Sequence, residues 1–184
     1  YDKKQVPYYA ALQNGSFENP DSNKVNQNGN FTFPNGTVGL EWKTTGSDKQ
    51  VEIVKGIYGS AHGITNVKND PLPHGDQFAE LNAQDAGALY QNVLTAPGSQ
   101  LYWDFYHRGR EGVDTMALVI APTKGVENIT EQKDLEGLIE DINANPQAYP
   151  GYYVLDDITD GKAAWGEHTS GANGYEVPSG QYLT

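Results

Sequence analysis

The feature that most limits the fold is a regular series of short strand-like runs in the middle of the chain. Turn residues separate them, first at Asp85-Ala86-Gly87 and then at Ala96-Pro97-Gly98. Short strands at this even spacing are typical of an antiparallel β-sandwich, and they leave no room for long helices. The four runs cover residues 77–83, 88–95, 100–109 and 114–122.

The segment LEWKTTGSDKQVEIV adds two further predicted strands on either side of a turn at Gly46-Ser47-Asp48. In its second half Val51 and Ile53 alternate with polar residues, as in a strand with one buried face. The sequence therefore predicts an all-β fold.

One segment, residues 131–145, departs from this pattern. Its apolar residues recur at helical spacing, and Pro146 follows its end. We expect one short helix inserted between strands of a single domain spanning residues 1–184. The apolar positions are Leu135, Leu138, Ile139 and Ile142.

Length, charge and cysteine content narrow the class of protein. The chain has 184 residues, which suffices for one domain but not for two. Its net charge of −12 repels phosphate backbones, so we expect no nucleic-acid partner. The chain has no cysteine, which excludes disulfides. No run approaches the roughly 18 apolar residues that span a membrane. We expect no membrane insertion and, since no signal peptide is visible, a mature or excised segment.

Motifs for catalysis are missing from the sequence. There is no cysteine nucleophile, Gly-x-Ser-x-Gly elbow, P-loop or dinucleotide fingerprint, and the four histidines lack metal-site spacing. The carboxylate pairs that remain for glycoside hydrolysis are Glu80 with Glu52 or with Asp114. An acidic chain offers such pairs by chance, so we predict a protein that is not an enzyme.

Four pieces of sequence follow one another in a recognisable order. They are NGSFENP, LEWKTTGSDKQVEI, GDQFAELNAQDAGALYQNVLTAPG and LYWDFYHRGREGVDTMALVIAP. This order resembles the galactose-binding-like domains of bacterial cell-surface and adhesin proteins, which are related in pattern to carbohydrate-binding modules that begin with Asn-x-x-Phe-Glu. The resemblance covers roughly residues 12–184. It implies a jelly-roll β-sandwich on the bacterial cell surface that binds a glycan or a host surface glycoprotein.

The end of the chain differs from the pattern of that family. Such domains usually finish with a strand that carries Gly-Asn and a terminal Asp, whereas this chain stops at GQYLT. We therefore expect the final strand to be missing. Because an unpaired sheet edge accepts further strands, a neighbouring segment or chain is the predicted strand donor.

The NGSFENP turn is the candidate metal site. The resemblance implies that Glu18, with Asn14 and Ser16 on the same turn, helps to hold a structural Ca²⁺. Calcium takes 6–8 oxygen ligands, many of them carbonyls, at about 2.3–2.6 Å. In the alternative interpretation Asn14-Gly15 is only a turn and Glu18 is a solvated strand residue.

The run 77–83 and the segment HRGREGVD form the candidate ligand site. Phe78, Glu80 and Asn82 share one strand face, so Glu80 lies among core-like residues and needs a partner. Arg108 and Arg110 are able to supply it through bidentate bonds. One interpretation is a polar ligand cleft, in which arginine and histidine donate to sugar hydroxyls or to a carboxylate-bearing sugar. The other is a structural ion-pair network of Glu80, Arg110 and Asp114.

Aromatic side chains complete the prediction, because flat rings stack on the apolar faces of sugars. In the run LYWDFY, Leu101, Trp103 and Phe105 are predicted to face the core. Tyr102 and Tyr106 are predicted to face a groove or solvent. The full set of predicted ligand residues is Glu80, Asn82, Tyr90, Tyr102, Tyr106, His107, Arg108, Arg110 and Asp114.

Two other roles stay open at this stage. The module could be a structural spacer in a fibre or stalk. It could also bind a host protein through the loops at 56–76 and 123–150, because long loops on a rigid scaffold often carry function.

Overall fold

The computed structural model describes residues 11–21, 30–55, 72–82 and 85–178. The strands are β1 (Asn30–Pro34), β2 (Lys43–Thr44), β3 (Gln50–Lys55), β4 (Gln77–Glu80), β5 (Leu89–Tyr90), β6 (Gln100–Leu101), β7 (Asp104–His107), β8 (Asp114–Ile120), β9 (Tyr153–Asp160), β10 (Gly166–Thr169) and β11 (Tyr175–Glu176). Helices α1 (Thr123–Val126) and α2 (Gln132–Ala144) and a 3₁₀ turn at Pro146–Ala148 lie between β8 and β9. The predicted all-β character is confirmed.

The strand pairings are all antiparallel and mostly join distant parts of the described chain. β1, β3 and β4 form a three-stranded sheet, and the remaining pairs are β2–β5, β6–β11, β7–β10 and β8–β9. The strands β2 and β3 are consecutive, yet β2 pairs with β5 and β3 pairs with β1 and β4. The turn between them therefore carries the chain from one sheet to another. The Lys49 N–H closes that turn by donating to the Gly46 carbonyl at 3.1 Å.

The main core lies on the three-stranded sheet. Its buried members are Phe33, Leu40, Val51 and Ile53, and Leu40 and Ile53 are completely buried. Burying such a side chain contributes about 1.5–3 kcal/mol. A second cluster consists of Tyr175 and Val177, with Leu101, Ile120 and Tyr153 packed against them.

The central strand β3 is covered on both faces. Val51, Ile53 and Val54 are buried, as the apolar residues require, but Glu52 between them is only 7% exposed. The alternation in the sequence predicts one solvated face. The prediction is wrong at Glu52 because β3 has partner strands on both edges and cover on both sides.

The predicted helix 131–145 is present as α2, with Ile142 buried against the domain. One contact that attaches the start of α2 is made by Thr45, whose hydroxyl donates to Gln132 Oε1 at 2.7 Å and accepts the Ala88 N–H at 2.9 Å. Neither helix in the described ranges has the length and apolarity to cross a bilayer.

Three predictions concern residues beyond the described part of the chain. Most of the loop 56–76 lies there, since only its last residues from Leu72 are described. The predicted strand 77–83 is described only as far as residue 82. The chain end 179–184, where the final strand was predicted to be missing, also lies outside the described residues.

Candidate functional site

An open cleft of about 420 Å³ lies where the end of β4 meets the loop between β7 and β8. The β4 side supplies Glu80 and Asn82, and the loop with the start of β8 supplies the rest. All of the side chains that line the cleft are polar or charged. They are Glu80, Asn82, Arg110, Glu111 and Asp114, four of which belong to the predicted ligand set.

An ion pair and a backbone contact hold the cleft together. Arg110 Nη1 donates to Glu80 Oε1 at 2.7 Å, and the Arg110 backbone N–H donates to Asp114 Oδ2 at 2.9 Å. The structure thus brings Glu80, Arg110 and Asp114 together, as the ion-pair interpretation of the sequence requires. The Arg110 side chain is still 44% exposed, so solvent reaches this group.

The loop between β7 and β8 is anchored at its first residues. The Gly109 N–H donates to the Gly161 carbonyl at 3.2 Å, and a Cβ at Gly109 would overlap the carbonyls of Gly112 and Asp160. Arg108 is buried, donates from Nη2 to the Lys162 carbonyl at 2.5 Å, and does not line the cleft. It lies 5.9 Å from the centre of the Trp165 ring. Arg108 therefore ties the loop to the segment that follows β9.

His107 points to a carboxylate that the sequence analysis did not single out. Its Nδ1 lies 2.8 Å from Asp160 Oδ2, and His168 Nε2 lies 2.7 Å from the same oxygen. Because an ionised carboxylate only accepts hydrogen bonds, both rings must donate to it. Burial, the largest single influence, raises the pKa of Asp160, but the hydrogen bonds and charges of His168 and His107 together outweigh it and lower the pKa.

Neighbouring residues pack closely around the three side chains of this His107–Asp160–His168 bridge. Gly166 stands opposite His107 in the β7–β10 pair, and a Cβ there would overlap the Asp160 carboxylate. Phe105 stacks on His168 with ring centres 5.3 Å apart. Sequence reasoning missed Asp160 and His168 because strand pairing brings them to His107 from positions far along the chain.

The three predicted tyrosines lie outside the cleft. Tyr102 is 64% exposed and Tyr106 is 41% exposed, which agrees with their predicted orientation toward solvent or a groove. Tyr90 is also exposed. Tyr106 has Glu167 as its cross-strand neighbour, and the negative charge of Glu167 is the main cause that raises the pKa of Tyr106. Among the described residues, no aromatic ring lines the cleft.

The candidate metal turn is fixed to the core by Asn14. Its Oδ1 accepts the Asn19 N–H at 3.0 Å, and its Nδ2 donates to the Leu40 carbonyl at 2.9 Å. Its backbone carbonyl accepts the Trp42 indole N–H at 2.9 Å. This hydrogen bonding is that of a structural turn, and it occupies the oxygens of Asn14 with N–H donors.

Glu18 joins the turn to the start of β4. Its Oε1 accepts the backbone N–H groups of Asp76 at 2.8 Å and Gln77 at 2.9 Å. Glu18 is thus not the solvated strand residue of the alternative interpretation. Glu18 Oε1 is already occupied by two N–H donors, which limits the fit of this turn to calcium. A cluster of three or more acidic, histidine or cysteine side chains suited to a metal is absent from the described ranges.

A second cavity of about 610 Å³ lies between the β2–β3 turn and the start of α2. The Lys49 ammonium group spans part of it by donating to the carbonyls of Thr45 at 3.0 Å and Thr130 at 2.5 Å. None of the predicted ligand or metal residues lines this cavity.

No protein-family model matches the chain, and comparison with curated proteins and with solved structures also gave no match.

Proposed function

We propose that this chain is a non-catalytic binding module that takes a glycan in the open cleft of Glu80, Asn82, Arg110, Glu111 and Asp114. The observation that carries the proposal is the cleft itself, which is open and lined by polar side chains alone. Planar amides, carboxylates and guanidinium groups are the side chains that bind sugar hydroxyls. We expect weak affinity, roughly in the micromolar to millimolar range.

We propose further that the domain is a galactose-binding-like jelly roll displayed on a bacterial cell surface. The antiparallel pairing of strands that are distant in sequence, such as β6 with β11 and β7 with β10, supports this architecture. The sequence pieces that carry the family resemblance also supply both sides of the cleft. A glycan of a host glycoprotein is the proposed partner.

The charges of the side chains that line the cleft narrow the class of sugar that it could bind. The described lining carries three carboxylates, and its one guanidinium group pairs with Glu80. An acidic sugar entering the cleft would meet Glu111 and Asp114 with the charge of Arg110 already compensated. The cleft therefore suits neutral sugars better than the carboxylate-bearing sugars that the sequence left open.

A glycan array tests the proposal directly. We expect reproducible binding of the wild-type domain to a neutral oligosaccharide, and a loss of at least tenfold in affinity for Asn82→Ala and Glu111→Gln. The matched controls are Asn92→Ala and Glu140→Gln, two exposed residues of the same types outside the cleft. Equal effects of cleft and control variants, or an array without binding by the folded protein, would overturn the proposal.

A structural role in a stalk is the second candidate. The ion pair of Arg110 with Glu80 and the contact of Arg110 with Asp114 favour it, because these bonds stabilise the fold without a ligand. In that case Glu111→Gln changes neither stability nor binding, whereas Arg110→Ala lowers stability only.

Calcium at Glu18 is proposed as a structural ion of the domain, supported by the carboxylate that Glu18 places on the NGSFENP turn and by the family resemblance. Any such ion would act on stability, since the turn is separate from the residues of the cleft.

A further inference from the structure

The His107–Asp160–His168 bridge joins three strands. His107 is the last residue of β7, Asp160 is the last residue of β9, and His168 lies within β10. The three side chains are only 11%, 14% and 25% exposed, respectively. Hydrogen bonds to an ionised carboxylate are stronger than those between neutral groups, so a single Asp160 oxygen holds three elements together.

The bridge also closes the base of the loop that lines the cleft. The loop 108–113 begins directly after His107, whose ring binds the Asp160 carboxylate. It ends directly before Asp114, which is the cross-strand partner of Asp160 in the β8–β9 pair. Asp160 therefore contacts the chain at both ends of the loop, through its side chain at one end and its backbone at the other.

Further contacts hold the loop against the residues that follow Asp160. The Gly109 N–H binds the Gly161 carbonyl, and Arg108 binds the Lys162 carbonyl. Gly109 and Gly166 are both positions where a Cβ would overlap atoms of Asp160. The loop thus approaches Asp160 closely at Gly109, and strand β10 approaches it closely at Gly166.

We infer that Asp160 is a positioning residue for the cleft. Held by His107 and His168, it fixes the loop 108–113 so that Arg110 and Glu111 face Glu80 and Asn82, and it sets ligand affinity without touching the ligand. This inference rests on the proposed function for its effect on binding, but its effect on the loop is independent of any ligand. His107, predicted from sequence as a ligand residue, acts here through Asp160.

Asp160→Asn is the main variant, and Asp157→Asn, an exposed aspartate on the same strand, is its matched control. Hydrogen exchange of the backbone amides at 109–113 reports the loop, and titration with the glycan found on the array reports affinity. We expect Asp160→Asn to speed the exchange and to weaken binding by about tenfold, while the control matches the wild type.

Variants of the histidines separate positioning from direct contact. His168→Phe keeps the stacking on Phe105 but loses the donor, and we expect it to reproduce the effects of Asp160→Asn. His107→Asn places an amide N–H where Nδ1 donates, and we expect it to retain most of the affinity. If His107→Asn abolishes binding while Asp160→Asn does not weaken it, His107 contacts the ligand and the inference is wrong.

The two proposals fail in different ways. An absence of glycan binding by the wild-type domain counts against the proposed function, and the exchange data alone then decide the positioning of the loop. Unchanged exchange at 109–113 in both Asp160→Asn and His168→Phe overturns the inference, whatever the array shows. If exchange at 109–113 becomes faster but the affinity for the glycan stays the same, Asp160 does not set ligand affinity and that part of the inference is wrong.

Discussion

Glu52 and Glu80 are direct cross-strand partners in the antiparallel pair of β3 and β4. Like charges at such positions are destabilising, and here Glu52 is buried while the Glu80 side chain is 16% exposed. The ion pair of Glu80 with Arg110 therefore has a structural task besides any ligand contact, because it compensates one of two opposed carboxylates.

Removal of Arg110 should expose this repulsion. We expect Arg110→Ala to lower the free energy of unfolding by about 1–2 kcal/mol, a value reduced by the partial exposure of the pair. Adding Glu80→Gln to Arg110→Ala should restore part of the loss, because only one carboxylate is then left. Urea denaturation of the two single variants and the double variant measures this coupling. Strictly additive effects would contradict it.

The lowered pKa of Asp160 predicts a specific loss of stability in acid. A carboxyl group whose pKa is lower in the folded state stabilises the fold above its unfolded pKa of about 3.9. That contribution decreases as the pH falls through the lower, folded pKa. The ionisation of Asp160 should therefore add a constant amount to the stability difference between the wild type and Asp160→Asn from pH 7 to pH 5. Below about pH 4 this difference should become smaller. Denaturation at a series of pH values checks this, with Asp157→Asn as the control.

Glu18 allows the two roles of the NGSFENP turn to be separated. Glu18→Gln keeps a carbonyl oxygen for the N–H groups of Asp76 and Gln77 but loses the negative charge that calcium needs. We expect calcium to raise the melting temperature of the wild type and not of Glu18→Gln. Glu18→Ala, which loses both hydrogen bonds, should cost about 1–3 kcal/mol in chelator. A wild-type melting temperature that does not respond to calcium would leave the turn with its structural role alone.

Thr45 should control the attachment of α2. Thr45→Val keeps the shape of a buried side chain but leaves the Ala88 N–H without its acceptor, so we expect a loss of about 1–3 kcal/mol. Hydrogen exchange at the start of α2 should become faster as well. Thr115→Val, at an exposed position, serves as the control and should stay within about 0.5 kcal/mol of the wild type. An equal response of the two variants would argue against the role of Thr45.

Local signals in the sequence predicted some elements well. The turn at Gly46-Ser47-Asp48 and the helix 131–145 depend on residues close together in the chain, and both are present in the structure. The strand β1, by contrast, has only five residues and follows a polar stretch of sequence, so its short alternation of Phe31 and Phe33 was not recognised as a strand.

Non-local contacts explain the remaining differences. The run 100–109 is uniformly strand-like, but it divides into β6 and β7 because its two halves find different partners, β11 and β10. The cleft was predicted in part, since Glu80, Arg110 and Asp114 have complementary charges. The partner of His107 was not, because no local pattern links it to a carboxylate 53 positions away.

The division between β6 and β7 has a mechanical consequence. At this corner Trp103 exchanges hydrogen bonds with Ser170, donating from its N–H to the hydroxyl and accepting at its carbonyl. Tension applied beyond Val177 would first load the hydrogen bonds of Val177 with Gly98 and Ser99 and then the two residue pairs of β6–β11. It would reach the hydrogen bonds between Trp103 and Ser170 next, and the four pairs of β7–β10 last. A pull on the C-terminal side of the domain would therefore peel β11 away while β7 and the loop after it keep their shape.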